Sequence, residues 1–182
     1  MRPAVRSAYR RTSLSLQQGL TLIELLVAIA MLAIMVTIGL PNFQNFTARN
    51  EVAAEVMRIR TALALARNTA VTRRTTISVC SSSGPPYETC TFNNWNNDWV
   101  IVEGEATDGS LAGETVLRVL EASDRVQVSF NRDDRPVRFS ALGWSKGYNG
   151  TFSICGKVTS NPTVVLNNAG RARIKASSSG TC

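Results

Sequence analysis

The chain has 182 residues, 44% hydrophobic and 18% charged, with a formal net charge of +7 and no histidine. Without an imidazole there is no histidine-based triad or general base. No G-x-S-x-G, P-loop or EF-hand pattern stands in for one, so the chain reads as a non-enzyme with no cofactor. The charge is uneven: Arg2, Arg6, Arg10 and Arg11 account for four units of the net +7 and leave +3 on everything after them. Global charge is therefore no argument for a nucleic-acid partner, and only a local cluster can supply one.

Residues 1–19 form a basic leader, and residues 20–40 an apolar run holding one ionisable side chain, Glu24, and ending at Pro41. That run matches the ~20 apolar residues a helix needs to cross a bilayer. A secretory signal places its small-residue cut site after the apolar core. Here Gly19 comes before it, so a cut after Gly19 discards the leader and keeps the helix. The new α-amino group on Leu20 then lies about one turn from Glu24. A carboxylate in lipid is costly and needs a partner, and this amine, or that of a neighbouring subunit, is the nearest one.

The segment Gly19-Leu20-Thr21-Leu22-Ile23-Glu24 resembles the prepilin signal of type IV pilins and type II secretion pseudopilins. The resemblance implies cleavage between Gly19 and Leu20, N-methylation of Leu20 and an assembly role for Glu24 and Pro41. Leu20 departs from the phenylalanine usual there, a mild change where bulk is the main requirement. A plain anchor with a stray glutamate would not bring glycine, glutamate and proline into this register. The partners implied are other pilins, a prepilin peptidase/N-methyltransferase and the inner membrane. The basic leader keeps its end cytoplasmic and sends the C-terminal domain outward.

Residues 41–72 continue as an amphipathic helix. Val52, Val56, Ile59, Leu63, Ala66 and Ala70 recur every three or four residues, an apolar stripe of helical period. Pro41 is expected to kink the helix at the membrane boundary. Outside the cytoplasm cysteines tend to pair. Cys80, Cys90, Cys155 and Cys182 allow three connectivities, of which Cys80–Cys90 and Cys155–Cys182 are favoured because each closes a short loop. A metal site is disfavoured, with no C-x-x-C and no histidine.

From residue 73 to 182 the pattern turns β-rich. Strands are expected over 75–80, 99–103, 116–121, 126–131, 137–141, 152–155, 163–166 and 171–176, between loops such as 81–86, 107–110 and 145–150. The fold class is α+β: a long N-terminal helix packed on antiparallel sheet. Asn93–Asp98 reads as a polar loop rather than a calcium site, and Asp133-Asp134, between Arg132 and Arg135, as a neutralised turn. Trp99 reads as core; Trp95 and Trp144 are open between core packing and base stacking. The stretches 71–80 and 99–109 resemble the GspH/FimT/FimU branch of minor pilins and pseudopilins, which implies a pilin-like domain.

The last feature is Val164–Ala176. Asn167–Gly170 is a turn, so its flanks should pair as a hairpin. Strand alternation puts Arg171, Arg173 and Lys175 on one face, ~6.7 Å apart, and Ala172, Ile174 and Ala176 on the other. Such a row can follow a phosphate backbone with sequence-independent, salt-sensitive affinity. It can equally be an edge strand that shows cations to block aggregation; Arg73-Arg74 reads as a helix-end pair favoured by the dipole. Gly170-Arg171-Ala172-Arg173 resembles the C-terminal G-R-x-R of DNA-binding minor pilins of natural transformation. The expectation is a minor pilin near a pilus tip that supports assembly and binds DNA. The alternative is a purely structural priming subunit or pseudopilin without DNA binding.

Overall fold

The computed structural model describes Gly19, residues 21–158 and residues 160–176. Leu20 and Cys182, and with Cys182 the second expected disulfide, lie outside these residues. Two compact units are present, Met1–Pro41 and Asn42–Cys182, and helix α1 (Leu22–Arg73) supplies residues to both, with Pro41 inside it.

In the first unit the helix is long and apolar enough to cross a membrane, and its large side chains, from Leu22 to Leu40, face outward. Lipid offers no hydrogen bonds, so polar groups there must be satisfied internally. Thr37 meets this demand by donating its hydroxyl to the Ile34 carbonyl at 3.0 Å. The helix begins on a cap: the Glu24 backbone N–H donates to Thr21 Oγ1 at 3.3 Å. Thr21 therefore acts as the N-cap of the helix, through its own side chain and the Glu24 backbone rather than through the Glu24 carboxylate.

In the second unit α1 buries Val52, Glu55, Val56, Ile59, Ala62, Leu63, Ala66 and Ala70, the expected stripe plus Glu55 and Ala62. Glu55 is tolerated because Arg58 Nη2 lies 2.7 Å from its carboxylate. Arg58 also donates to the Glu121 carbonyl at 3.1 Å and rests 4.8 Å above the Trp99 ring. The helix ends with Arg74 at φ +54° and the Thr75 N–H donating to the Ala70 carbonyl at 3.2 Å, the Schellman arrangement. Arg73 pairs with Glu103 at 2.6 Å. Both arginines thus belong to the helix end.

Eight strands follow: β1 (Ile77–Ser82), β2 (Asp98–Glu103), β3 (Thr115–Leu120), β4 (Gln127–Phe130), β5 (Val137–Phe139), β6 (Gly150–Cys155), β7 (Thr163–Leu166) and β8 (Ala172–Lys175). They form two antiparallel sheets, β3-β2-β1-β5 and β4-β6-β7-β8, the helix-on-antiparallel-sheet architecture that was expected. The division follows pairing: β5 returns to β1, while β4 pairs with β6. Both sheets send alternate side chains into one core against the helix, among them Ile77, Val79, Ile101 and Phe139 from the first and Phe152, Ile154, Val164 and Leu166 from the second. At its centre Trp95, Trp99, Phe130 and Phe152 meet, with Trp95 edge-on to Trp99 at 5.0 Å. Both indole N–H groups donate to carbonyls, of Phe92 at 2.7 Å and Trp95 at 2.9 Å, as buried Trp requires.

The opposite face of the first sheet is covered as well. Cys80, Val100 and Val102 pack with Cys90, Ala106 and Leu111 in a second cluster, closed by the Cys80–Cys90 disulfide. This cover explains why every residue of β1 is buried although an antiparallel sheet usually leaves one face wet. The Asn93–Asp98 segment is structural: Asn96 Oδ1 accepts from the Val128 N–H at 2.7 Å, and Asp98 Oδ1 from the Ala122 N–H at 2.8 Å. Asp134 pairs with Arg135, which holds its carboxyl below the usual carboxylate range, chiefly through their hydrogen bond.

Candidate nucleic-acid interface

The basic row is carried by the β7–β8 hairpin. Its turn is closed by the Gly170 N–H donating to the Asn167 carbonyl at 2.9 Å and the Asn167 N–H to the Arg171 carbonyl at 3.1 Å. The Arg171 N–H donates to Asn167 Oδ1 at 2.9 Å. Gly170 adopts φ +73°, and a Cβ there would lie 2.0 Å from the Gly143 carbonyl oxygen. Glycine is therefore required twice, by the backbone conformation and by close approach. Across the hairpin Arg173 pairs with Val165 and Lys175 with Thr163.

β8 is an edge strand, and Arg171, Arg173 and Lys175 are all exposed. None of their side chains forms an ion pair with a described residue. Ala172 packs on the core, whereas Ile174 and Ala176 are exposed and line an open apolar groove with Val52, Val56 and Met57 of α1. Arg171 precedes the strand and lines a hollow of about 500 Å³ with Arg60 and Arg67. Arg67 Nε donates to the Gly143 carbonyl at 3.1 Å, the same carbonyl that crowds Gly170. The site is therefore broader than the strand. Arg60 and Arg67 stand seven residues apart, two helical turns on one face, a spacing the sequence displayed but that points nowhere until β8 is placed beside it.

Of the three tryptophans, Trp95 and Trp99 are 1% and 0% exposed and belong to the core, whereas Trp144 is 56% exposed. Trp144 sits on the loop after β5, whose Ser145 N–H donates to the Asn168 carbonyl of the hairpin turn at 2.9 Å. The remaining expected site residues lie elsewhere. Gly19 is exposed, Glu24 is in the first turn of α1 and Pro41 is within α1. Cys80 and Cys90 are joined at a Cα separation of 5.6 Å, and Cys155 ends β6.

An apolar N-terminal helix whose later turns pack on antiparallel sheets, with a cysteine-closed flap and a C-terminal hairpin, defines a pilin-like protein of the minor pilin and pseudopilin type. The family model described as type II transport protein GspH matches residues 55–180, and the prokaryotic N-terminal methylation motif matches residues 14–40. The chain belongs to the GspH family, the GspH/FimT/FimU group of type IV minor pilins and pseudopilins. Similar proteins include a type IV major fimbrial protein FimA of Dichelobacter nodosus, 28% identical over 76% of this chain and 88% of that protein. A fimbrial protein of Pseudomonas aeruginosa is 30% identical over 72% of this chain and 71% of its own length. In fold the chain is similar to the crystal structure of the type IV minor pilin FimU of Pseudomonas aeruginosa, with TM-score 0.57 and 24% identity, covering 74% of this chain and 98% of that one. The family is one of structural subunits.

Proposed function

We propose that this chain is a minor pilin of a type IV pilus: held in the inner membrane by its apolar helix with the second unit in the periplasm, cleaved after Gly19 by a prepilin peptidase, methylated at Leu20 and assembled with other pilins near the pilus tip. Glu24 and Pro41 serve assembly. Its second role is sequence-independent capture of DNA for uptake in natural transformation, through Arg171, Arg173 and Lys175 with Arg60 and Arg67 beside them.

One observation carries the DNA reading. The cations of the hairpin are exposed and unpaired among the described residues, on a turn braced by Gly143 and Arg67. Elsewhere on the second unit Arg58, Arg73, Arg125, Arg135 and Arg138 each face a carboxylate. Arg49, Arg74, Arg118 and Lys146 are exposed without one among the described residues, so it is the alignment of the three hairpin cations along one strand that sets them apart. The structural alternative, a priming subunit or pseudopilin whose edge strand is merely guarded by charge, has the edge position of β8 in its favour.

A soluble fragment beginning near residue 47 separates the two. It retains every core residue, the first being Val52, and omits the leader arginines, which would bind DNA themselves. In gel shifts at low salt it should bind duplex DNA, weakening with a log–log salt slope of roughly −3 for about three phosphate contacts. Arg171→Ala with Arg173→Ala should reduce that slope by about 2 and abolish the shift at moderate salt. Absent or salt-insensitive binding would leave only the structural role.

A further inference from the structure

The loop of residues 140–149 between β5 and β6 turns two large apolar side chains to solvent, Leu142 at 77% and Trp144 at 56% exposure. Trp144 lines a hollow of about 320 Å³ together with Leu142, Lys146, Tyr148, Arg138 and Glu105. Arg138 is already engaged there: it stands 4.2 Å above the Tyr148 ring, donates to the Tyr148 hydroxyl at 2.8 Å and pairs with Glu105 at 3.3 Å. Lys146 is exposed and has no ion pair among the described residues. On its other flank the same loop is fastened to the basic region. The Gly143 carbonyl accepts from Arg67, and Ser145 donates to the turn that leads into Arg171.

An open tryptophan with a lysine beside it is thus docked, through its own loop, against the arginine-lined hollow. We infer that Trp144 is a stacking platform for an unpaired nucleobase, so that the site takes single-stranded or frayed DNA in preference to intact duplex. This inference rests on the proposed DNA binding and deepens it. In a duplex each base face is covered by its neighbours and offers nothing to a tryptophan. A single strand presents open faces, and sequence-tolerant stacking on an aromatic ring adds to phosphate neutralisation. Lys146 lines the same hollow as the ring, and Arg171 follows the turn to which the loop of Trp144 is bonded.

The test uses the fragment described above, titrated at low salt with oligo-dT and with a blunt duplex of equal length. With Trp95 and Trp99 buried, the solvent-facing emission comes from Trp144 and reports its own contact with a base. The expected result is quenching by oligo-dT and tighter binding of the single strand. Trp144→Ala should weaken single-strand binding by roughly 5- to 150-fold and leave duplex binding unchanged, while Trp144→Phe keeps most of it. If Trp144→Ala alters neither affinity while Arg171→Ala with Arg173→Ala abolishes both, the stacking role is wrong and the basic row stands. Equal affinity for the two DNA forms, or no quenching by oligo-dT, overturns it likewise. If the unaltered fragment binds neither DNA, both readings fall together.

Discussion

At φ +73°, Gly170 holds without strain a conformation that Arg74, at φ +54°, holds at a cost. Arg74 is tolerated because it stands at the open end of α1, where a left-handed residue lets the Thr75 N–H reach back to the Ala70 carbonyl. At Gly170 no such freedom exists, since a side chain there would collide with the Gly143 carbonyl. Gly170→Ala should therefore destabilise the second unit by about 2–3 kcal/mol, the sum of a left-handed alanine and of overpacking against backbone. DNA affinity should fall with it although no cation has been removed. Arg171→Ala, on an exposed side chain, should lie within about 0.5 kcal/mol of the unaltered protein. Thermal unfolding of the two variants beside their gel shifts measures both effects. A Gly170→Ala variant of normal stability would mean that the turn can move away from Gly143, and that the glycine is not what aims the basic strand.

Strand and helix were legible because their signals are local. The six stripe positions from Val52 to Ala70 are all buried, and the eight expected strands appear within a few residues of their expected places. What local pattern does not carry is the partner. Glu55 lies on the buried side of the helix and reads as a flaw until Arg58 and the end of β3 are set against it. The splitting of eight strands into two sheets depends on β5 crossing back to β1, which no strand announces. For the same reason Arg171, Arg173 and Lys175 were legible as a row by alternation, whereas Arg60 and Arg67 come beside that row only because α1 packs next to β8, and the loop of Trp144 only through its bonds to Arg67 and the hairpin turn. The disulfide flap is the element whose contribution is simplest to isolate. Tyr87 within it donates to Asp98 Oδ2 at 3.0 Å, a bond that lifts the Tyr87 phenol above its ordinary value and ties the flap to β2. Replacing Cys80 and Cys90 together by alanine opens a loop with a sequence separation of 10 and should cost about 2–3 kcal/mol. Urea unfolding followed by tryptophan fluorescence should show a lower midpoint with a nearly unchanged slope. An unchanged midpoint would mean that the second cluster, with Val100, Val102 and Leu111, closes without its cross-link.

For the molecule as a whole, two units with opposite solvents share one helix sequence. The second buries its apolar residues in its own core; the first displays Leu25, Leu26, Ile29, Leu32 and their neighbours on the outside, a surface for lipid before assembly and for other apolar helices after it. Within that surface Glu24 is the single ionisable side chain between residues 20 and 40. Its backbone N–H is satisfied by Thr21, so the cap leaves the carboxylate available for an amine. In lipid a lone carboxylate is unfavourable, and in the assembly role proposed above it is the amine of a neighbouring chain that relieves this cost, once the subunit is seated. Glu24→Ala removes the cost and the reward together. Cleavage after Gly19 should then proceed normally, because the cut precedes the helix, while incorporation into filaments should drop severely. Two readouts check this on one strain: the mass of the membrane-extracted protein, which reports cleavage and methylation, and its amount in sheared pili. Normal mass with little protein in the sheared fraction is expected. Normal amounts in both fractions would mean that apolar packing alone seats the subunit, and that Glu24 is kept for the helix start rather than for docking.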